Sequence, residues 1–298
     1  MSSNIRKDVI IVMDPEIRLL CSTGTMVRRD NSYNYPRAVN IIDKLCEEGT
    51  IYGGELMMLV HYYDKMDKVT SCVADSAVPF PVIHCEKGVG SDLSRSATLY
   101  SEGNFLEAEA LFEDLVSTFR LNCEFGRRIG AAHMVFHLWS GMDSDRHIEY
   151  NCEKAPLLKK IASEYGLRLL FETIPGTTRD PLTNLLRLTE TLPDAEFIYD
   201  TRLSALHGQE CTILQNADFT SRLRHVHISD FRGKLRDFSA LRPIYHPGEG
   251  QIDFEAVADK LKKISYNGKI TLESPVTCDD DRDIEKLRRT FGYIARVF

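Results

Sequence analysis

The most constraining feature of this chain is a regular alternation of short apolar runs with longer amphipathic segments. Eight runs have the length and composition of buried strands. They are Arg18–Ser22, Gly54–Leu59, Pro81–His84, His133–His137, Leu167–Glu172, Glu196–Asp200, Arg224–Ile228 and Lys269–Glu273. Such alternation is typical of repeated βα units around a parallel sheet. Eight units predict an α/β protein made of a single closed (β/α)8 barrel, the TIM-barrel fold.

The segments between these runs have helical periodicity. In Phe105–Phe125 the apolar residues recur at helical spacing, and Asp253–Ile264 shows the same pattern. The recurring residues of the first segment are Leu106, Ala110, Leu111, Leu115 and Phe119. Several segments end in a glycine before the next strand, which predicts left-handed helix caps at Gly49, Gly130, Gly166 and Gly268. We expect long loops after the third, sixth and seventh strands.

Residues 1–298 are predicted to form one domain. No stretch rich in Pro, Gly or Ser interrupts the alternation, so the sequence contains no obvious interdomain linker. A hydrophobic fraction of 43% is enough for a sizeable core. Residues 1–17 are expected to be an N-terminal extension or cap, with Val9–Met13 forming a cap or small hairpin at the bottom of the barrel.

Composition and charge argue against several classes of partner. A net charge of -7 gives no general attraction to a polyanion, so a nucleic-acid partner is not expected. The eight cysteines are scattered without C-x-x-C spacing, as expected of free thiols in a reducing compartment. Val9–Met13 is too short for a membrane span or signal segment. We therefore expect a cytoplasmic protein without a membrane partner, and homo-oligomer formation is left open.

Polar, chemistry-capable residues stand at six of the eight strand ends. These residues are His84, His137, Glu172, Asp200, His227 and Glu273. In a barrel of this kind the C-terminal strand ends meet at one axial pocket. Carboxylates brought together in a partly desolvated site need a cation between them. The sequence thus predicts one divalent metal ion, and three oxygen ligands with one nitrogen suit Mn²⁺, Mg²⁺ or Co²⁺ and are compatible with Zn²⁺.

Across nearly the whole chain, the order of these runs resembles a known family. The segments are GGELMML, VIHCEKG, VFHLWSG, LLFETIPG, FIYDTR, HVHISD, HPGEGQIDF and YNGKITLES. Together they resemble the xylose isomerase-like TIM barrels of the sugar phosphate isomerase and epimerase type. That superfamily also includes inosose dehydratases and abasic-site nucleases of the endonuclease IV type.

The resemblance implies roles for individual residues. In the ketose epimerase pattern the metal is held by Glu172, Asp200, His227 and Glu273, and the two glutamates act as catalytic acid and base. A metal that chelates an α-hydroxy ketone stabilises the enediolate formed when the carbon between the oxygens loses its proton. One glutamate removes the proton and the other returns it.

Some positions depart from the relatives. The chain has Leu203 where the nuclease branch has a histidine ligand of its third metal, and Arg242-Pro243-Ile244 where that branch has an Asp-x-His. A three-zinc site is therefore incomplete in the sequence. His84 and His137 match the nuclease's first-metal ligands and could hold a second ion, whereas isomerase relatives use such histidines to bind substrate hydroxyls. The latter role is favoured.

Further candidates for substrate binding lie just beyond the strand ends. Arg202 or Arg232 would bind a phosphate or carboxylate if it pointed inward. Trp139 could stack on a sugar face, and His246 could approach the pocket on its loop. Glu55 is either a substrate contact or a polar residue of the barrel interior. His225 is expected to face away from the barrel axis.

These observations predict a divalent-metal-dependent isomerase or epimerase of carbohydrate metabolism, acting on a small-molecule sugar or sugar phosphate through an enediolate. A dehydratase of a polyol ketone or keto-acid on the same metal site is the alternative, because it uses the same enolate. An abasic-site nuclease is disfavoured by the acidity of the chain and by Leu203 and Ile244. A non-enzymatic binding barrel is the remaining reading.

Overall fold

Eight parallel strands close into a barrel in chain order in a computed structural model, which describes residues 17–141, 143–277 and 279–298. The strands are β1 (Arg18–Ser22), β2 (Gly53–Met57), β3 (Val82–His84), β4 (His133–Phe136), β5 (Arg168–Glu172), β6 (Glu196–Asp200), β7 (Leu223–Ile228) and β8 (Lys269–Leu272). Parallel pairing of β1 with β8 closes the ring. The predicted fold is therefore confirmed, with strand ends within two residues of the expected ones.

Helices surround the barrel. In the described residues the α-helices are α1 (Tyr35–Glu47), α2 (Met66–Ala74), α3 (Lys87–Ser101), α4 (Phe105–Arg128), α5 (Ile148–Glu164), α6 (Pro181–Thr191), α7 (Thr201–Ala205), α8 (Ala217–Thr220), α9 (Phe254–Lys263) and α10 (Asp280–Val297). Short 3₁₀ helices occupy Thr23–Thr25, Arg29–Asn31, Val60–Lys65, Ile213–Gln215 and Phe238–Leu241.

Side-chain caps fix several helix starts. The Asp180 side chain accepts a hydrogen bond from the Thr183 backbone N–H, and Pro181 follows it at the first helical position of α6. Asp253 caps α9 in the same way through the Ala256 N–H. Each cap satisfies a backbone donor that the first helical turn leaves open, so these sequences define where the helices begin.

Two helical expectations need correction. The segment after β3 is a pair of helices, α3 and α4, instead of a long loop. In α4, Leu106 is 84% exposed and Ala110 is also exposed, whereas Leu115 and Phe119 are buried. The apolar periodicity of this segment therefore does not mark a single buried face over its whole length.

Positive φ angles at Gly49, Gly130 and Gly166 confirm three of the four predicted left-handed caps. Gly268 is different, because its φ lies outside the left-handed region. The left-handed residue after α9 is instead Ser265, with a φ of 52°. The prediction of a cap at Gly268 was wrong because the helix ends earlier than the glycine.

An apolar layer fills part of the barrel interior. Leu20, Val82, Val135, Leu170 and Ile198 form a fully buried cluster, separate from the larger core between strands and helices. Residues two positions apart on a strand share a face. Val82, Leu170 and Ile198 therefore lie on the same inward faces as His84, Glu172 and Asp200, which follow them toward the C-terminal end of the barrel.

The remaining fold predictions have mixed outcomes. The cysteines in the described part of the chain are free. No helix among the described residues is long and apolar enough to cross a membrane. Val9–Met13 lies outside the described residues.

Candidate active site at the C-terminal end of the barrel

Four side chains meet at the ends of β5 to β8. Glu172, Asp200, His227 and Glu273 each offer a ligand atom, and these atoms all lie within 4.8 Å of one another. His227 Nδ1 is 2.7 Å from Glu172 Oε1 and 3.7 Å from Glu273 Oε1. The structure brings together the residues predicted from the strand ends, and we call them the four-residue group.

Strand pairing and local hydrogen bonds position this group. Asp200 pairs with His227 in the parallel register of β6 and β7. The Asp200 backbone N–H donates to Thr173 Oγ1 at 2.8 Å. Its Oδ1 accepts from the Leu203 N–H at 2.6 Å and so caps α7. One oxygen of Asp200 is therefore fixed by the fold, and the other is left for the site.

Burial and neighbouring charges shift the pKa values of the four-residue group in different directions. Burial, opposed by Arg202 and His227, acts with the charges of Glu172 and Glu273 to raise the pKa of Asp200 to about 7. Although burial disfavours its charged form, His227 has its pKa raised well above the usual value by neighbouring carboxylates. Burial likewise opposes the charge of Glu172, but His227 and His137 lower the pKa of Glu172 well below its usual value. His227 and Arg202 thus both act as counter-charges to carboxylates of the group.

His84 and His137 lie beside Glu172. His137 Nε2 is 2.5 Å from Glu172 Oε2, and His84 Nε2 is 3.7 Å from the same oxygen. Their ring centroids are 4.9 Å apart. Burial lowers the pKa of His137 to about 4 despite the nearby Glu172, so this ring is neutral near pH 7. Both positions suit either substrate hydroxyls or a second ion shared with Glu172.

A second polar cluster lies beneath the group. Glu55 Oε2 accepts hydrogen bonds from His227 Nε2 at 3.2 Å, His225 Nε2 at 3.1 Å and Thr271 Oγ1 at 2.9 Å. All four residues are fully buried. Glu55 is thus a polar residue of the barrel interior, the second of its two predicted roles. A carboxylate behind a metal-ligating histidine fixes the orientation of the ring.

The position of His225 contradicts its prediction. It was expected to face away from the barrel axis, yet its ring contacts Glu55 across the interior. The error lies in the side-chain period of a strand: residues two apart point to the same face, so His225 and His227 must both point inward.

Two neighbouring cavities open above the group. One, of about 460 Å³, is bounded by Glu273 together with Arg28, Lys87, Arg202 and Arg242. The other, of about 500 Å³, is bounded by His137 and Leu203. Lys87, Arg202 and Leu241 line both cavities. Their size is in the range of small-molecule sites.

A family model described as xylose isomerase-like TIM barrel matches residues 56–293. The chain belongs to this family.

Relatives of this xylose isomerase-like chain include two inosose dehydratases. That of Bacillus velezensis is 30% identical over 190 residues, covering 54% of this chain and 63% of the relative. That of Salmonella typhimurium is 31% identical over 145 residues, covering 44% of this chain and 48% of the relative. The matched region thus spans about half to three-fifths of the length of these relatives.

Solved structures share the xylose isomerase-like fold. The D-allulose 3-epimerase from Methylomonas sp. in complex with D-allulose superposes with a TM-score of 0.66 at 14% identity, covering 95% of this chain and 97% of the other. The IOLI protein with a bound zinc atom gives a TM-score of 0.67 at 14% identity, covering 94% of this chain and 99% of the other. Identities this low establish a common fold and nothing finer.

The xylose isomerase-like family implies a divalent metal, and the side chains here fit one. Among the described residues, Asp200 Oδ2 and Glu273 Oε1 are buried and have no hydrogen-bond partner. Buried carboxylate oxygens without partners are costly unless a ligand or ion satisfies them. Three carboxylates and one imidazole form a donor set for divalent first-row metals.

Two of the predicted substrate contacts, Trp139 and His246, do not line either cavity. Trp139 is fully buried, and its indole N–H donates to the Pro175 carbonyl at 3.3 Å. His246 is held on both ring nitrogens, by Thr290 Oγ1 at 2.8 Å and the Pro275 carbonyl at 3.0 Å. Both therefore have structural roles, because packing and protein hydrogen bonds already occupy them.

Arg232, a third predicted substrate contact, also lines neither cavity. Its guanidinium stacks over the Tyr245 ring at 4.8 Å and donates to the Glu249 carbonyl. It supports the loop after β7 from the exposed side. Arg202, in contrast, lines both cavities, and its role in substrate binding stays a prediction.

Asp230 holds the loop after β7, one of the roles that its place beyond His227 predicts. Its carboxylate accepts backbone N–H donors from Phe231, Gly248, Gly250, Gln251 and Ile252, at 2.7 to 3.1 Å. A side chain at Gly250 would meet Asp230 Oδ1 at 2.2 Å. The G-E-G sequence is therefore the part of the loop that wraps this carboxylate, and the glycine was the available signal.

Proposed function

We propose that this chain is a divalent-metal-dependent isomerase or epimerase of sugars or sugar phosphates, acting by proton transfer beside the carbonyl of an α-hydroxy ketone. One observation supports it above all: Glu172 and Glu273 both approach His227 Nδ1, at 2.7 and 3.7 Å, inside a buried group. Two carboxylates in one site can remove a proton and return one.

Glu273 is suited to remove the proton. Its Oε1 has no hydrogen-bond partner among the described residues, and its side chain forms part of the wall of the 460 Å³ cavity. A carboxylate oxygen without a hydrogen-bond partner can accept a proton without first breaking another bond. A general base must reach the proton that it abstracts, and Glu273 borders the space in which that proton would lie.

Glu172 is held more firmly. Its Oε1 contacts His227 and its Oε2 contacts His137 at 2.5 Å. In a reaction with two carboxylates, Glu172 would be the one that returns a proton to carbon, and His137 lies close enough to its Oε2 to share that proton during the transfer. His84 and His137 are placed to orient substrate hydroxyls beside this glutamate.

A divalent ion bound by Glu172, Asp200, His227 and Glu273 would supply the Lewis acidity that stabilises negative charge developing on the ketone oxygen. Asp200 would complete the ligand set in its charged form. Glu55 would hold the His227 ring, since it accepts from Nε2 while Nδ1 faces the carboxylates. The fold thus supplies ligands from four neighbouring strand ends.

A dehydratase of a polyol ketone is the second candidate, and the inosose dehydratase relatives favour it. It begins with the same proton removal and differs in its second step, because a hydroxyl leaves instead of a proton returning. The departing hydroxyl takes up a proton and leaves as water, and His137, which lies beside Glu172 and lines the 500 Å³ cavity, would contact it by hydrogen bonding. The product distinguishes the two reactions.

An abasic-site nuclease fits less well. Leu203 and Ile244 occupy cavity walls near the positions where that branch has further metal ligands. Their apolar side chains offer no ligand atom. Three tightly bound zinc ions per chain would favour this alternative.

Incubation of the metal-loaded protein with ketoses and inososes in D₂O tests the proposal. We expect deuterium to appear on the carbon next to the carbonyl, observed by NMR. A new epimer or isomer would indicate the first candidate, and an enone or diketone formed by loss of water would indicate the second.

Glu273→Gln and the exposed Glu164→Gln provide matched variants of this assay. The first should slow exchange by about 10²- to 10⁴-fold, the usual contribution of a general base. The second, on α5 and paired with Arg120 at the surface, should exchange normally. Absence of exchange with every substrate of the panel, by folded and metal-loaded protein, would contradict the proposal.

A further inference from the structure

The 460 Å³ cavity above the four-residue group has an excess of positive charge. Four cationic side chains line it, Arg28, Lys87, Arg202 and Arg242, against two carboxylates, Glu86 and Glu273. Glu273 belongs to the proposed metal site, so its charge is directed to the ion. The remaining lining of this cavity is therefore complementary to an anion.

Arg202 is the most constrained of these cations. It is 8% exposed, with Nε donating to Ser229 Oγ at 3.2 Å and Nη1 to the Leu241 carbonyl at 3.4 Å. Both acceptors are neutral. No carboxylate oxygen of the described residues lies within 4.0 Å of its guanidinium, and Nη2 has no protein acceptor among them.

A second buried arginine, Arg37, has carboxylate partners and provides a comparison. The side chain of Arg37 is 12% exposed and pairs with Asp280 and Asp283, both at 2.5 Å. A buried guanidinium normally needs such a counter-charge. Arg202 has comparable burial and no ion pair within the described residues. Asp200 acts on it only through a longer-range electrostatic interaction, so we expect a ligand to provide the direct anionic contact.

Lys87 and Arg242 extend the same surface. Neither forms an ion pair with a described residue, and both are exposed on the cavity rim. Lys87 lines both cavities together with Arg202. The three cations would meet an anionic group that enters above the metal.

We propose that Arg202, with Lys87 and Arg242, forms a subsite for a phosphate or carboxylate group of the substrate. This rests on the proposed function, because it takes the ligand to be the substrate of the same metal site. Arg202 is two residues from Asp200, so the reacting carbons and the anionic group of one small molecule can be held at once. A planar guanidinium binds either anion through parallel N–H donors. The preferred substrate is thus a phosphorylated or acidic ketose, in contrast to a neutral one.

Isothermal titration with inorganic phosphate and with D-gluconate tests the subsite and separates the two anions. Each titration uses metal-free and metal-loaded protein, so that binding to the ion itself is measured separately. Arg202→Met should weaken anion binding to the metal-free protein at least about tenfold, as expected for charge-assisted hydrogen bonds. Arg232→Met, which removes an equal charge outside both cavities, should bind as the wild type does. Equal affinity in wild type and Arg202→Met would overturn the subsite.

Kinetics keep this proposal distinct from the proposed function. Deuterium exchange should favour ketose phosphates or keto-acids over the corresponding neutral ketoses, and Arg202→Met should remove that preference by raising KM for the anionic substrates. Anion binding that depends on Arg202, without exchange in any substrate, would sustain the subsite and contradict the proposed function. Exchange of neutral ketoses that Arg202→Met leaves unchanged, without anion binding, would contradict the subsite and sustain the function.

Discussion

Asp200 and Asp230 are both fully buried, yet the fold treats their carboxylates in opposite ways. Asp230 accepts five backbone N–H groups, shared between its two oxygens. Asp200 accepts one, from Leu203, and its Oδ2 has no partner among the described residues. Burial alone therefore does not identify a functional carboxylate. The satisfied one builds a loop, and the unsatisfied one is available to a ligand.

The largest effect on stability is expected from Asp230→Asn. The substitution places an amide donor against the backbone donors that the second oxygen accepts, so several N–H groups lose their acceptor. We expect a loss of about 3 kcal/mol in the free energy of unfolding, measured with urea on metal-free protein. Asp253→Asn is the matched control, because asparagine also caps a helix and should cost about 0.5 kcal/mol or less. If Asp230→Asn left the free energy of unfolding unchanged, the proposed structural role of Asp230 would be wrong.

Asp200→Asn should have the opposite sign in the same urea experiment. The amide retains an oxygen for the Leu203 N–H and removes repulsion with Glu172 and Glu273. We expect the metal-free protein to be as stable as wild type or more stable by about 1 kcal/mol, while affinity for Zn²⁺ or Mn²⁺ falls by more than about tenfold. Destabilisation comparable to that of Asp230→Asn would show that Asp200 has a structural role.

The pH dependence of stability tests whether Asp200 is an unsatisfied carboxylate. Because the folded-state pKa of Asp200 is raised from 3.8 to about 7, the folded state holds a proton that the unfolded state has released. Asp200 should therefore contribute a loss of stability to the metal-free protein as the pH rises from about 4 to 7. Asp200→Asn should remove this contribution, so the free energy of unfolding of the variant relative to wild type should increase across that range. Identical pH profiles of wild type and variant would contradict the inference of a strained carboxylate.

A smaller effect is expected at Glu55, which contacts the metal site only through His227. Glu55→Gln keeps the shape but removes the charge behind the His227 ring. Affinity for the metal should fall by about tenfold, with titration of Zn²⁺ as the measurement. Glu164→Gln, a remote surface change, should leave the affinity unchanged. A wild-type affinity in Glu55→Gln would leave it as a packing residue of the interior.

Much of the fold could be predicted from the sequence because apolar residues recur at different spacings in strands and in helices. Eight apolar runs predicted the barrel, and parallel strands then required the ends at Glu172, Asp200, His227 and Glu273 to converge. Proximity along the chain did not indicate side-chain direction, as Trp139 and His246 show. Both stand close to strand ends or loops of the site, but packing turns one into the core and hydrogen bonds hold the other.

Other features of the site could not be predicted from the sequence because they depend on contacts between residues far apart in the chain. The Asp230 cradle joins a strand end to backbone donors from Gly248 to Ile252, and no local pattern encodes that pairing. The missing ion partner of Arg202 likewise depends on which side chains surround it in space. Such properties become visible only when hydrogen-bond partners are counted in three dimensions.

Anomalous diffraction from crystals soaked in Mn²⁺ tests the central claim most directly, because it locates the ion without relying on activity. The account predicts one strong peak within about 2.0–2.4 Å of ligand atoms from Glu172, Asp200, His227 and Glu273. A peak bound by His84 and His137 alone, or none at the four-residue group, would contradict it.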